Sequence, residues 1–105
     1  MKKYLLHSLP ALAILAMLSI SYVSANEVFT KYCSSCHNNG GNLMNPKKTL
    51  SQKDLAANGV DNAGSISALI TNGKPPMPAF GKDLSDEEIA GVAKFVLDQA
   101  AAGWK

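Results

Sequence analysis

The residues able to do chemistry are gathered in Cys33-Ser34-Ser35-Cys36-His37, which holds the only two cysteines of the chain. Two thiols three residues apart, with an imidazole directly after the second, have the spacing that attaches a c-type haem covalently. On a helix, positions 33, 36 and 37 share one face, so both thiols reach one group while the imidazole points at its metal. The competing reading is a thioredoxin-like redox pair, but that chemistry comes with a βαβ setting and a longer domain. A structural zinc site needs a fourth ligand, and after residue 25 His37 is the only histidine.

An iron bound by His37 has a second axial position, and two methionines compete for it. Met77 stands in Lys74-Pro75-Pro76-Met77-Pro78, where prolines stiffen the backbone and the distance along the chain allows it to wrap to the opposite face. Met44 follows His37 closely and is expected to pack as an adaptable gap filler. Met77 is therefore the expected ligand. A methionine–histidine pair raises the reduction potential, which suits an electron carrier.

The elements that must position these groups read as helices. Glu27 to Asn38 carries Val28, Phe29 and Tyr32 at helical spacing and closes at Asn39-Gly40-Gly41. Ser51-Gln52-Lys53-Asp54 resembles a capping box opening a second short helix, which Gly59 ends. Asp61 or Asn62 caps a third through Ile66, Leu69 and Ile70, stopped by Asn72-Gly73. The proline segment that follows cannot be helix interior or central strand, and a fixed extended loop is expected. Ser85-Asp86-Glu87-Glu88 is another capping-box signal. Behind it Ile89, Val92, Ala93, Val96, Ala100 and Trp104 form one apolar stripe on a long C-terminal helix. No run alternates as a strand would, so the expected fold is all-α, with about four helices and long loops around one central object.

Length and charge narrow the rest. Met1-Lys2-Lys3 is a positive start, Leu9 to Ile20 is apolar except for Pro10 and Ser19, and Val23-Ser24-Ala25 offers small residues for cleavage. The apolar stretch is short of the roughly 20 residues that cross a bilayer. Residues 1–25 are thus expected to be a removable export signal, and residues 26–105 a single domain. A domain this small has a marginal core without a disulfide, metal or cofactor, and it has no room for a multidomain enzyme. The whole chain carries a formal charge of +2 from ten lysines and eight acids. Without Lys2 and Lys3 the charges balance, so the footprint of a nucleic-acid binder is absent.

A family resemblance runs along almost all of this domain. It is carried by Val28-Phe29, the C-x-x-C-H segment, Gly40-Gly41-Asn42, Lys48-Thr49-Leu50, Gly59, Asn72-Gly73-Lys74, Met77-Pro78-Ala79-Phe80, Leu84-Ser85-Asp86 and the stretch from Gln99 to Trp104. In these residues the chain resembles the cytochrome c6 family, soluble haem proteins of cyanobacteria and algae. The resemblance implies a class I cytochrome c fold around one haem c, attached through Cys33 and Cys36. It implies His37 and Met77 as the axial iron ligands and Asn42 and Lys48 in the haem environment, with Lys48 beside a propionate. It further implies a one-electron carrier, not an enzyme, moving electrons from cytochrome f of the b6f complex to photosystem I in the thylakoid lumen. Contact with those membrane complexes would be transient, and a monomer is the simplest state for such a carrier. The export signal by itself supports only an exported, periplasm-like compartment.

Three departures from the family pattern bear on function. The segment before Cys33 is short for the family's first helix. Leu69 stands where many members carry a glutamine near the haem, and an apolar residue there resembles the low-potential relatives. Asp83 occupies the usual place of an arginine implicated in docking, with Lys82 just before it, so Lys74 and Lys82 become the candidate docking charges. A low-potential cytochrome c6-like protein or an electron donor to a respiratory oxidase is the alternative within this class. A haem gas sensor or enzyme with an open axial site is the alternative outside it, and Met77 argues against it.

Overall fold

The computed structural model describes residues 25–105, so all but the last residue of the expected export signal lies outside the described residues. Helix α1 covers residues 25–32 and α2 covers Ser34–His37, followed by a 3-10 turn at Asn38–Gly40. Then come α3 (Gln52–Ala57), α4 (Ala63–Asn72) and α5 (Asp86–Ala102). The helix expected over Glu27 to Asn38 is thus two segments meeting at Cys33, joined by backbone bonds from Cys33 N–H to Phe29 O at 2.9 Å and from His37 N–H to Cys33 O at 2.9 Å. Counted as one bent element, they leave the four helices that the sequence leads one to expect. Structures similar to this one, described below, bear out the all-α fold.

Side-chain caps start the later helices where the sequence places them. Ser85 Oγ accepts from Glu88 N–H at 3.1 Å, and Glu88 Oε1 accepts from Ser85 N–H at 2.9 Å, a complete capping box. Asn62, rather than Asp61, caps α4 by accepting from Ser65 N–H at 2.9 Å. At α3 only half of the box forms. Ser51 Oγ accepts from Asp54 N–H at 3.2 Å, but the Asp54 carboxylate turns to the Thr49 hydroxyl at 2.6 Å and Thr49 N–H at 3.2 Å. The short Asp54 side chain serves the incoming loop and not the helix start.

The core lies between α1, α4 and α5. Ile89, Val92, Ala93, Val96 and Ala100 are buried, as their stripe predicts, and Phe95 joins them by stacking tilted on Phe29, with ring centroids 5.2 Å apart. Two expectations need correction. Trp104 is not on the helical stripe, because α5 ends at Ala102 and a left-handed Gly103 turns the chain off the axis. The segment 74–78 is not extended. Lys74 N–H donates to Met77 O at 3.0 Å and Met77 N–H donates to Lys74 O at 2.8 Å, closing a turn around a cis Pro75–Pro76 bond. Among the described residues this bridge is the only β-type pairing.

Candidate haem-binding site

Between α2, the loop 41–51, α4, the turn 74–77 and α5 opens a cavity of about 380 Å³. That lies within the roughly 300–1,000 Å³ of small-molecule and cofactor sites. Its walls include Phe29, Leu55, Ile66, Ile70, Val92 and Val96, the inward faces of the core helices. Cys33, Cys36, His37 and Met77 all line it, so residues forty positions apart in sequence converge on one space.

His37 is oriented by its own loop. Its Nδ1 lies 2.7 Å from the carbonyl oxygen of Gly41. A carbonyl only accepts, so Nδ1 carries a proton, and it is Nε2 that offers the lone pair of the neutral ring. A neutral imidazole held in this tautomer is in the state that ligates a metal, and the hydrogen bond raises its donor strength. The Gly41 carbonyl is reached only by folding, and the paired glycines after His37 were its one sequence signal.

Cys33 and Cys36 are not joined to each other, Cys33 being half-buried and Cys36 exposed. Burial pushes the Cys33 thiol up to about 11, so it sits neutral in the cavity wall. Among the described residues no group of three or more His, Cys, Asp or Glu side chains is assembled to hold a metal ion, as a zinc site would require. The donor set instead fits a haem: two thiols on one side, an imidazole with a free Nε2, a thioether on a facing segment, and apolar walls between them.

Met77 is brought to the cavity by the end of α4. Gly73, at φ 71°, closes the helix, and a Cβ there would come within 2.7 Å of Ala79 N and 2.8 Å of Pro78 C. Only glycine fits both the left-handed turn and this close return of the chain. Phe80 N–H then donates to Ile70 O at 2.9 Å and Gly81 N–H to Thr71 O at 3.2 Å, stapling the returning segment along α4. Leu69 lines the cavity from the same helix.

Asn42 and Lys48 line the cavity too, although the Asn42 side chain is spent on its own loop. Its Nδ2 donates to Lys48 O at 2.9 Å, and its Oδ1 accepts from Met44 N–H at 3.1 Å and Asn45 N–H at 2.9 Å. This Asx-type closure turns residues 43 and 44 outward, which corrects the expectation for Met44. It is no gap filler but 63% exposed at the cavity rim, beside Leu43 at 75%. Lys48 is exposed. The only ion pair among the described residues is Lys94–Asp98 at 2.7 Å, so the Lys48 ammonium remains available to an anionic group at the rim.

Comparison with known proteins gives the same reading. The family model described as cytochrome C oxidase, cbb3-type, subunit III matches residues 22–96. Cytochrome c6 of Rippkaea orientalis is 55% identical over 78 residues, covering 74% of this chain and 70% of that protein. The crystal structure of cytochrome c6 from the diatom Phaeodactylum tricornutum superposes with a TM-score of 0.75 at 44% identity, over 79% of this chain and 98% of that one. Oxidised cytochrome c6A of Arabidopsis thaliana superposes with a TM-score of 0.77 at 37% identity, over 81% of this chain and 95% of that one.

Proposed function

The chain belongs to the class I cytochrome c family, among the cytochromes c6, and we propose that it shuttles single electrons from the cytochrome b6f complex to photosystem I. As a member of this family with a C-x-x-C-H pair it binds haem c covalently and is an electron carrier, not an enzyme. The observation that carries the reading is the convergence of Cys33, Cys36, His37 and Met77 on one apolar cavity.

In this reading Cys33 and Cys36 hold the haem by thioether bonds, His37 binds its iron through Nε2 and Met77 through its sulfur. The bound group supplies a reversible one-electron couple. The chain tunes that couple. Its apolar walls keep water from the iron, the Gly41 carbonyl orients the imidazole, and Lys48 offers a positive charge to a propionate. With balanced formal charge after residue 25, steering to partners falls to local patches and not to a net field. Lys74 lines the cavity and Lys82 lies exposed nearby in sequence, while Met44 adds an exposed apolar contact at the rim, with the exposed Leu43 next to it in sequence. Small mixed patches of this kind suit docking that must be brief.

Export to the thylakoid lumen, with residues 1–25 as the removed signal and a monomeric mature domain, completes the proposal. Its support is the signal-like composition of the N-terminus and the kinship with cytochromes c6. Among the described residues no helix is long and apolar enough to cross a membrane.

Leu69 favours a second reading, a low-potential cytochrome c6-like carrier with other partners, because it presents an apolar face to the cavity. Potentiometric titration of the purified holoprotein separates the two. A midpoint close to that of cytochrome f supports the b6f-to-photosystem route. A markedly lower midpoint that Leu69→Gln raises supports the second, since each 59 mV is about a tenfold change in a one-electron equilibrium.

A further inference from the structure

Trp104 is thrown off the C-terminal helix by a specific stop. Gly103 N–H donates to Ala100 O at 3.2 Å and Trp104 N–H donates to Gln99 O at 2.8 Å, the paired bonds of a Schellman motif. The indole then packs against Phe29 and Phe95, with centroids 5.4 and 6.2 Å away. Its ring covers Gly40, which is buried and has φ 77°, and a methyl built on Gly40 would run into the indole.

From that position a line of hydrogen bonds leads to the cavity. Trp104 Nε1–H donates to Leu50 O at 2.9 Å, across 54 positions of sequence. Leu50 N–H donates to Gly40 O at 2.7 Å. The next carbonyl along the chain, that of Gly41, accepts from His37 Nδ1–H at 2.7 Å. Trp104 itself has φ 61°, a region bulky residues rarely adopt. Filling the space beside Phe29 and Phe95 needs a ring but no N–H aimed at a loop carbonyl.

We propose that Trp104 is a positioning residue for the His37 imidazole, acting through Leu50, Gly40 and the Gly41 carbonyl. This rests on His37 being an iron ligand. The indole N–H fixes the 40–50 loop, the loop fixes the Gly41 carbonyl, and that carbonyl sets the orientation and donor strength of Nε2. With the N–H removed, the carbonyl shifts away from Nδ1–H more often and the imidazole becomes a weaker donor. The oxidised iron depends more on that donation than the reduced iron, so the reduction equilibrium moves toward the reduced form.

The test replaces Trp104 in the holoprotein by β-(3-benzothienyl)alanine, which keeps the bicyclic shape and lacks the N–H, with Trp104→Phe as the second variant. Proton exchange at the Leu50 amide and at His37 Nδ1 is followed by NMR in the reduced state, together with the reduction potential. The expected result in both variants is exchange at least tenfold faster at both sites and a raised potential. Unchanged His37 Nδ1–H exchange with unchanged potential, whatever happens at Leu50, overturns the proposal. Ring nitrogen shifts of His37 in the unaltered holoprotein distinguish the underlying reading: a free imidazole there would remove His37 as a ligand, irrespective of Trp104.

Discussion

Lys74 and Met77 exchange both of their backbone hydrogen bonds, at 3.0 and 2.8 Å, so the turn that carries Met77 is closed on itself by the backbone alone. Gly73 ends α4 directly before this turn, and the bonds from Phe80 and Gly81 back to Ile70 and Thr71 hold its far side. In the folded chain the thioether is therefore presented by a backbone held on both sides by its own hydrogen bonds. On the facing side the Gly41 carbonyl likewise holds the His37 ring, at 2.7 Å.

Removing the haem should cost this domain most of its structure. The cavity of about 380 Å³ is walled by the same helices that form the core, and an unfilled cavity forfeits contacts on every wall. A Cys33→Ser/Cys36→Ser double variant, which cannot attach haem, is expected to show strongly reduced far-UV helical signal and no cooperative thermal transition. The parent holoprotein is expected to show both, and an equally cooperative haem-free variant would mean that the protein core suffices alone.

Asn42→Ala should loosen the loop that forms one wall. It removes the bonds to Lys48 O and from the amides of Met44 and Asn45, leaving those groups to find water. With the loop partly exposed, a loss of about 1–3 kcal/mol is expected, measured from the denaturant midpoint of the holoprotein. The haem should remain covalently attached, as intact mass will show.

Lys82→Glu reverses a charge in the candidate docking region. Oxidation of the reduced protein by photosystem I particles is expected to slow several-fold at low ionic strength, with the difference fading as salt rises through about 0.1 M. Flash kinetics at two or more salt concentrations check this. A rate equal to that of the parent at low salt removes Lys82 from the docking surface.

The parts of this site legible in the sequence are the local ones. Cys33-Ser34-Ser35-Cys36-His37 states its chemistry within five positions, and Ser85 with Glu88 and Asn62 with Ser65 are caps decided within one helical turn. What escaped the sequence depends on where distant segments meet. The apolar period of α5 continues on paper to Trp104, yet the left-handed Gly103 breaks it and sends the indole to Gly40 and Leu50. Prolines alone could not distinguish an extended loop from a closed turn, because closure is made by the Lys74–Met77 pair around them. Met44 faces outward for a similar reason, since Asn42 caps the turn beneath it. The Asp54 carboxylate matched a capping box by spacing but chose Thr49, a partner five residues back.

Carbon monoxide binding to the reduced holoprotein and to its Met77→Ala variant tests the central claim most directly, because an external ligand reports whether the sixth position is closed. The parent, closed by Met77, is expected to bind it weakly or not at all, while Met77→Ala binds it readily and keeps its covalent haem. Rapid binding by the parent, or no gain on removing Met77, would contradict the assignment of Met77 as a ligand and reopen the reading of a haem protein with an open axial site.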